Sequence, residues 1–200
     1  HISALGIENA QDSKYARSKL EGEKEIKLNF YKTTILRPSI VYSVDDNFTT
    51  QFMTLLNRLP FFPLYYKGET KFTPIHCSEL AEIILQIINK NICSEIIECV
   101  GPQEMTFNEI LQKLLKLIDK KKLLIPIPLT IAKIMAMFFQ LLPKPLLTLD
   151  QLKLLKYDSI LSGNYKSNLD IGYNCKLKFE KEVEKYCYMW KDGGEYSKEI

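Results

Sequence analysis

Arginine is scarce in this chain. Of its 27 basic residues only Arg17, Arg37 and Arg58 are arginines, and the net charge is just +3. The remaining positive charge is lysine, scattered rather than striped, so a nucleic-acid backbone has no guanidinium surface to grip. Glycine is scarce as well, 8 in 200 residues: Gly6 and Gly22 stand alone, and Gly193-Gly194 falls in a polar tail. No G-x-x-G-x-x-G turn occurs, and that turn is what seats a pyrophosphate at a helix N-terminus. The five cysteines, at 77, 93, 99, 175 and 187, make no C-x-x-C pair and no cluster with histidine. That spacing excludes a structural metal site, and the odd number argues against a disulfide framework. They read as reduced thiols of a cytosolic setting. There is no internal repeat, and the longest apolar run is too short and too interrupted to span a membrane.

What remains is ordinary for a soluble globular protein: 46% hydrophobic and 26% charged residues in a chain long enough for one domain, or one and a fraction. His1 to Leu5 reads as the end of a buried strand, followed by a polar loop to Ser13. Lys14 to Leu28 carries helix formers with glutamates and lysines interleaved on a solvated face. Thr33 to Leu36, running into Arg37-Pro38, reads as a buried parallel strand. A helix follows over Phe48 to Leu59, stopped by Pro60 to Pro63, and Phe72 to Cys77 predicts one short strand. Ser78 is placed to cap a helix whose Leu80, Ile83, Ile84, Ile87 and Ile88 recur at helical spacing. Ile96 to Val100 is a strand ended by Gly101-Pro102. Thr106 with Glu109 makes a capping box for a helix to about Asp119, and Thr148 with Gln151 makes another before Leu152, Leu154 and Leu155. Phe179 to Trp190 reads as a short charged helix. Alternation of strand and helix predicts an α/β fold with a largely parallel sheet.

One constellation carries chemistry. Tyr15 and Lys19 lie four residues apart, on one face of the Lys14 to Leu28 helix, and Ser3 sits 12 residues upstream of Tyr15 at a strand end. A phenol serves as acid/base near neutrality only if its pKa, ordinarily about 10, is pulled down. A neighbouring ammonium does this by favouring the phenolate, and it also donates to ribose hydroxyls. Ser3 would hold a substrate oxygen for hydride transfer. The pentapeptide alone is weak, since 11 tyrosines in a lysine-rich chain yield about one Y-x-x-x-K by chance. Its setting strengthens it: a strand-end serine, a loop, a helix start, then a strand ending in Arg-Pro.

With Ser3, Tyr15-x-x-x-Lys19 and Leu36-Arg37-Pro38-Ser39-Ile40-Val41-Tyr42, the chain resembles the second half of an extended or atypical short-chain dehydrogenase/reductase, the epimerase/dehydratase-like group. Further pieces are similar to the branch that holds the alpha-subcomplex subunit nine type of accessory subunit of respiratory complex I, and its bacterial relatives. These pieces are Ser13 to Lys19 with Gly22-Glu23, Asp45-Asp46-Asn47-Phe48, Pro74-Ile75-His76, Gly101-Pro102 with Thr106-Phe107, and Leu147 to Gln151. The resemblance covers nearly the whole chain and is weakest over the final thirty residues. It departs at Ser43, where a glycine is usual, and at Glu79, where an aspartate is usual.

The resemblance implies the C-terminal half of a Rossmann-like doubly wound parallel sheet with a mostly helical C-terminal lobe. Residues 1–105 would form a partial NAD(P)-binding domain with a lobe segment inserted at 46–72, and residues 106–200 a substrate or partner lobe. Ser3, Tyr15 and Lys19 would be the catalytic-type residues. Tyr15, Lys19, Pro38, Ser39, Ile40 and Val41 would border the nicotinamide and ribose of NAD or NADP. With no initiator methionine and no glycine turn, the chain reads as a fragment. Its expected role is an accessory or assembly component of respiratory NADH dehydrogenase with a mainly structural dinucleotide. It would lie in the cytoplasm or peripherally on the inner membrane, meeting complex I subunits or a membrane surface through 126–147. The alternative is an active oxidoreductase or epimerase with Tyr15 as acid/base on a nucleotide-sugar or related carbonyl compound. Elsewhere, His76 reads as packing or hydrogen bonding, Arg37 as either a phosphate ligand or a carboxylate partner, and Asp45-Asp46 as a solvated turn.

Overall fold

The computed structural model describes residues 1–139 and 148–197. The chain opens in extended conformation. Ile2 bridges Leu36 in parallel, and the amides of Ser3 and Leu5 donate to the carbonyls of Leu36 and Pro38 at 2.7 and 2.9 Å. This confirms His1 to Leu5 as strand-like. After a turn-rich loop comes α1 (Lys14–Asn29), then β1 (Ile35–Pro38) and β2 (Val41–Tyr42). All four residues of β1 are buried, as a strand covered on both faces requires.

The middle of the chain departs from expectation in instructive ways. Helix α2 (Thr49–Arg58) ends at Leu59, but Pro60 to Pro63 is not just a stop. Phe61–Leu64 forms β3, with Pro63 tolerated because the strand has a single partner. The expected Phe72 to Cys77 strand is two strands, β4 (Lys71–Phe72) and β5 (Ile75–His76), which turn to different partners around Thr73-Pro74. Cys77 already begins α3 (Cys77–Asn89), and His76 rather than Ser78 is its N-cap: the imidazole accepts the Ser78 amide at 3.3 Å. Of the apolar stripe on α3, Leu80, Ile83 and Ile87 are buried and Ile88 faces out.

Then follow β6 (Ile96–Cys99), β7 (Met105–Thr106) and α4 (Phe107–Leu117), the last opened by the expected Thr106–Glu109 capping box. Next come β8 (Leu123–Pro126), α5 (Leu129–Phe139) and α6 (Leu149–Leu154), the last opened by the Thr148–Gln151 box. The chain closes with β9 (Lys166–Ser167), α7 (Phe179–Glu184) and a 3-10 turn over Cys187–Trp190, so the last expected helix is broken in two.

The main sheet runs β1-β6-β9, all parallel, with the Ile2 segment on the other side of β1. Three two-stranded pairs surround it: β2 with β5 and β3 with β8, both parallel, and β4 with β7, antiparallel. Two cores result. One lies on the sheet, where Leu36, Ile75 and Ile97 meet Leu80, Ile83 and Ile87 of α3. The other joins α2, α4 and α7 through Met53, Leu56, Phe107, Ile110, Leu111, Leu114 and Phe179. Each such fully buried side chain contributes about 1.5–3 kcal/mol. Between the two, Gly101 passes so close to Pro74 that a Cβ there would fall 1.7 Å from the Pro74 carbonyl oxygen.

Candidate active site

Helix α1 begins where the sequence predicts, and two things fix its start. Ser13 caps it, its Oγ accepting the Ala16 amide at 3.3 Å. The second comes from far along the chain. Asp150, at the start of α6, accepts Ser13 Oγ (2.8 Å) and the backbone amides of Lys14 (2.8 Å) and Tyr15 (3.0 Å). A carboxylate at a helix N-terminus satisfies free amides and complements the dipole. It holds its proton weakly: burial would raise its pKa, but these donors bring it below the ordinary value. Sequence reading identifies the capping box around Asp150 but not this role, since no local signal links positions 135 apart.

Tyr15 and Lys19 both face a cleft of about 680 Å³, whose walls also include Ser3 and Pro38 to Val41. All seven residues expected from sequence at the nicotinamide and ribose therefore line one cavity. Gly6, in a left-handed conformation at φ +78°, lets the wall approach the Asp158 carbonyl, to which a Cβ would come within 2.6 Å. Ser3 is 3% exposed; its hydroxyl makes no close hydrogen bond among the described residues, but it lies near enough to the Glu23 carboxylate to help hold that carboxyl's pKa down.

The electrostatics differ from the expectation for a primed phenol. Lys19 Nζ sits 5.8 Å from the Tyr15 ring centre and donates to the Ile2 carbonyl at 3.3 Å. Partial burial pushes the phenol of Tyr15, itself 43% exposed, above its ordinary value. Tyr15 and Lys19 therefore present two donors to the cleft, a neutral hydroxyl and an ammonium. Ser3, Tyr15 and Lys19 suit the ribose and carboxamide end of a nicotinamide dinucleotide, with donors on one wall. Nothing among the described residues resembles a seat for its pyrophosphate.

Other candidates resolve differently. Arg37 is no phosphate ligand: it is 3% exposed and makes a fork to Glu23, Nε to Oε1 2.8 Å and Nη2 to Oε2 2.7 Å. Glu8 lies at 3.0 Å, and the Tyr165 ring stacks on the guanidinium at 4.7 Å. His76 caps α3 and meets Tyr42 edge-on at 5.3 Å, away from the cleft. Asp46 does not sit in a solvated turn. Its carboxylate gathers the amides of Ser43 (3.0 Å), Phe48 (2.6 Å) and Thr49 at the start of α2. Glu79, at the aspartate position, is buried and accepts the amides of Lys176 (2.5 Å) and Leu177 (3.0 Å), so it ties down the C-terminal segment. No group of His, Cys, Asp and Glu among the described residues is arranged to hold a metal ion.

Comparison with known proteins agrees with this architecture. The chain is 30% identical over 116 residues to NADH dehydrogenase [ubiquinone] 1 alpha subcomplex subunit 9, mitochondrial, of Dictyostelium discoideum, covering 58% of this chain and 32% of that protein. The Arabidopsis thaliana protein of the same name is 26% identical over 174 residues, covering 82% and 43%. The chain thus spans less than half the length of either relative. Among solved structures, dTDP-glucose 4,6-dehydratase of Streptomyces venezuelae, with NAD and TYD bound, superposes with a TM-score of 0.57 at 16% identity, over 88% of this chain and 50% of that one. The shared fold is the α/β Rossmann-like architecture of the epimerase/dehydratase proteins. Residues 9–136 match the family described as RmlD substrate binding domain. With its parallel sheet, its Ser3–Tyr15–Lys19 wall and that match over more than half its length, the chain belongs to the RmlD substrate binding domain family.

Proposed function

We propose that this chain forms the nicotinamide-facing half of a dinucleotide-binding accessory or assembly component of respiratory NADH dehydrogenase, in which the dinucleotide is mainly structural. The observation that carries this reading is the state of the Tyr15–Lys19 pair. The ammonium gives one of its three protons to the Ile2 carbonyl and lines the cleft beside the Tyr15 hydroxyl, so the pair offers donors of the kind a ribose takes up, and the phenol is shifted up rather than down, away from a primed base. Two relatives named as mitochondrial NADH dehydrogenase subunits support it. The neighbour with NAD bound supports a nicotinamide dinucleotide, NAD or NADP, along Tyr15, Lys19 and Pro38 to Val41.

Residues 1–105 are the nucleotide-facing part, with 46–72 contributed to the lobe formed by 106–200, from which β9 returns to the sheet. A docking face accompanies this role. Helix α5 exposes Leu129, Ile131, Ile134 and Met137 while burying Ala132 against Tyr65 and Leu152, which suits a partner subunit or a membrane surface. Residues 140–147 of the expected 126–147 surface lie outside the described residues. No helix among the described residues is long and apolar enough to cross a membrane, so membrane contact would be peripheral, at the inner membrane.

A catalytic reading has one observation in its favour: Ser3 lies in the same wall as Tyr15 and Lys19. Purifying respiratory membranes with a tagged full-length protein separates the two readings. Co-purification of NADH dehydrogenase subunits with bound NAD(P)H is expected, and the association with those subunits should persist in Tyr15→Phe. Steady reduction of a carbonyl substrate that is lost in Tyr15→Phe would overturn the structural role.

A further inference from the structure

Helix α6 spans only six residues, yet each of its sides meets a different part of the molecule. Asp150, Lys153 and Leu154, at i, i+3 and i+4, share one side and meet the start of α1. Asp150 accepts Ser13 Oγ and the Lys14 and Tyr15 amides, and Lys153 Nζ donates to the Asp12 carbonyl at 2.9 Å. Leu154 packs on the cluster that holds the fully buried Ala16 of α1. Leu149 and Leu152 lie on the opposite side, in a small core with Tyr65 and with Ala132 of α5. Gln151 and Leu154, with Leu155 just beyond the helix, turn the remaining side to the cleft.

A helix this short does not hold its shape alone, because nucleation costs more than its few hydrogen bonds return. The Thr148–Gln151 box and the contacts to α5 and α1 supply what it lacks. In exchange it serves groups that α1 cannot satisfy for itself. The first four amides of a helix have no partner within it, and those of Lys14 and Tyr15 are two of these.

We propose that Asp150 is a positioning residue for Tyr15 and Lys19, and that α6 is the strut through which the placement of α5 orders their wall of the cleft. The strut has two states, seated and loose, and a small unit of this kind opens well below the energy of global unfolding. Seated, it pins the first turn of α1, where Tyr15 enters the cleft. Loose, it frees that turn, while the middle of α1 stays on the sheet through Glu23 and Arg37. The coupling is reciprocal: a ligand that fixes Tyr15 and Lys19 favours the seated strut, and so does anything that fixes α5. The inference rests on the reading of Tyr15 and Lys19 as ligand-facing, but not on which ligand they face.

Amide exchange resolved by residue, together with NADPH titration of the full-length protein, tests it. Asp150→Ala should speed exchange at the Lys14 and Tyr15 amides about tenfold and leave Glu25 to Leu28, near the other end of α1, unchanged. Leu152 packs on the α5 side of the strut, yet Leu152→Ala should speed the same two amides, and the volume-conserving Leu152→Met should restore them. NADPH affinity should fall about fivefold to tenfold in Asp150→Ala, and less in Asp150→Asn, which keeps one acceptor oxygen. Thr106→Ala removes a cap of the same kind from α4, no described residue of which lines the cleft. It should lower the melting temperature to a similar degree and leave the affinity within about twofold. Unchanged exchange at Lys14 and Tyr15 in either Asp150→Ala or Leu152→Ala would overturn the proposal. So would an affinity loss in Thr106→Ala equal to that in Asp150→Ala. A wild-type protein that binds no NADPH would remove the dinucleotide reading, and the exchange rates alone would then decide this one.

Discussion

Arg37 and Glu23 face each other across the β1–α1 interface as a buried two-point ion pair, with Nε–Oε1 at 2.8 Å and Nη2–Oε2 at 2.7 Å. Both side chains are nearly sealed from water. The pair ties the helix that carries Tyr15 and Lys19 to the strand that leads into Pro38 to Val41, and all of these residues line the cleft.

Glu23→Gln should therefore cost about 3 kcal/mol in a urea titration, because it strands a buried guanidinium with only the half-exposed Glu8. Replacing both partners, Arg37→Met with Glu23→Leu, should recover most of that loss. The pH dependence follows from the carboxyl. Burial alone would raise the Glu23 pKa, but the bonds and charge of Arg37, with help from the Ser3 hydroxyl and Lys27, bring it below the ordinary 4.5. A carboxyl depressed in the folded state adds stability above its unfolded pKa and loses it as pH falls through the folded one. The pair's contribution should be complete above about pH 4.5 and fade on acidification below it.

Asp46 organises the start of α2, where Phe48, Gln51 and Phe52 line the cleft. Asp46→Ala removes the acceptor for the Phe48 and Thr49 amides and should cost about 1–2 kcal/mol by thermal unfolding. Asp46→Asn should recover part of that loss. Equal stability of all three proteins would contradict this role.

Gly101→Ala should be the most damaging small substitution in the sheet. Its methyl would meet the Pro74 carbonyl at 1.7 Å, and backbone cannot swing away as a side chain does. A loss of about 3 kcal/mol is expected, read as a lower denaturation midpoint at unchanged slope.

Thiol labelling gives a quick check on the cores. Cys77 and Cys93 are exposed, whereas Cys99, Cys175 and Cys187 are buried. Burial pushes the Cys99 and Cys175 thiols up to about 12, which leaves almost no thiolate near neutrality. Native protein should titrate two thiols rapidly with an aromatic disulfide reagent and all five after denaturation.

Lys19→Met should weaken NAD(P)H binding by about tenfold or more, the usual worth of a charge-assisted hydrogen bond, while leaving the melting temperature within a few degrees. An unchanged dissociation constant would show that the ammonium faces no ribose.

Features encoded locally were legible in the sequence. The β-branched run before Arg37 and the Thr106–Glu109 and Thr148–Gln151 boxes depend on neighbours along the chain and match the structure, and Ser3, Tyr15 and Lys19 come to line one cleft. What escaped was pairing at a distance. Phe61–Leu64 reads as a helix stop because Pro63 hides a strand, and its partner, Leu123–Pro126, also carries a proline. Ser78 looks like a cap until β5 places the His76 imidazole nearer the free amide. Asp46 reads as one of two solvated acids because nothing in Asp45-Asp46 says which will turn inward. For Arg37, phosphate and carboxylate were equally readable, and the helical face of α1 decided between them.

The hold of Asp150 on Lys14 and Tyr15 also has a consequence in time. As the chain leaves the ribosome, Lys14 to Asn29 emerges long before residue 150, and through that interval two of its leading amides have only water to bond. Helix α1 can form from its own propensity and the Ser13 cap, but it acquires this footing only once residue 150 is present. The half of the cleft that looks most local in sequence therefore depends on a contact that no nascent chain shorter than this can make.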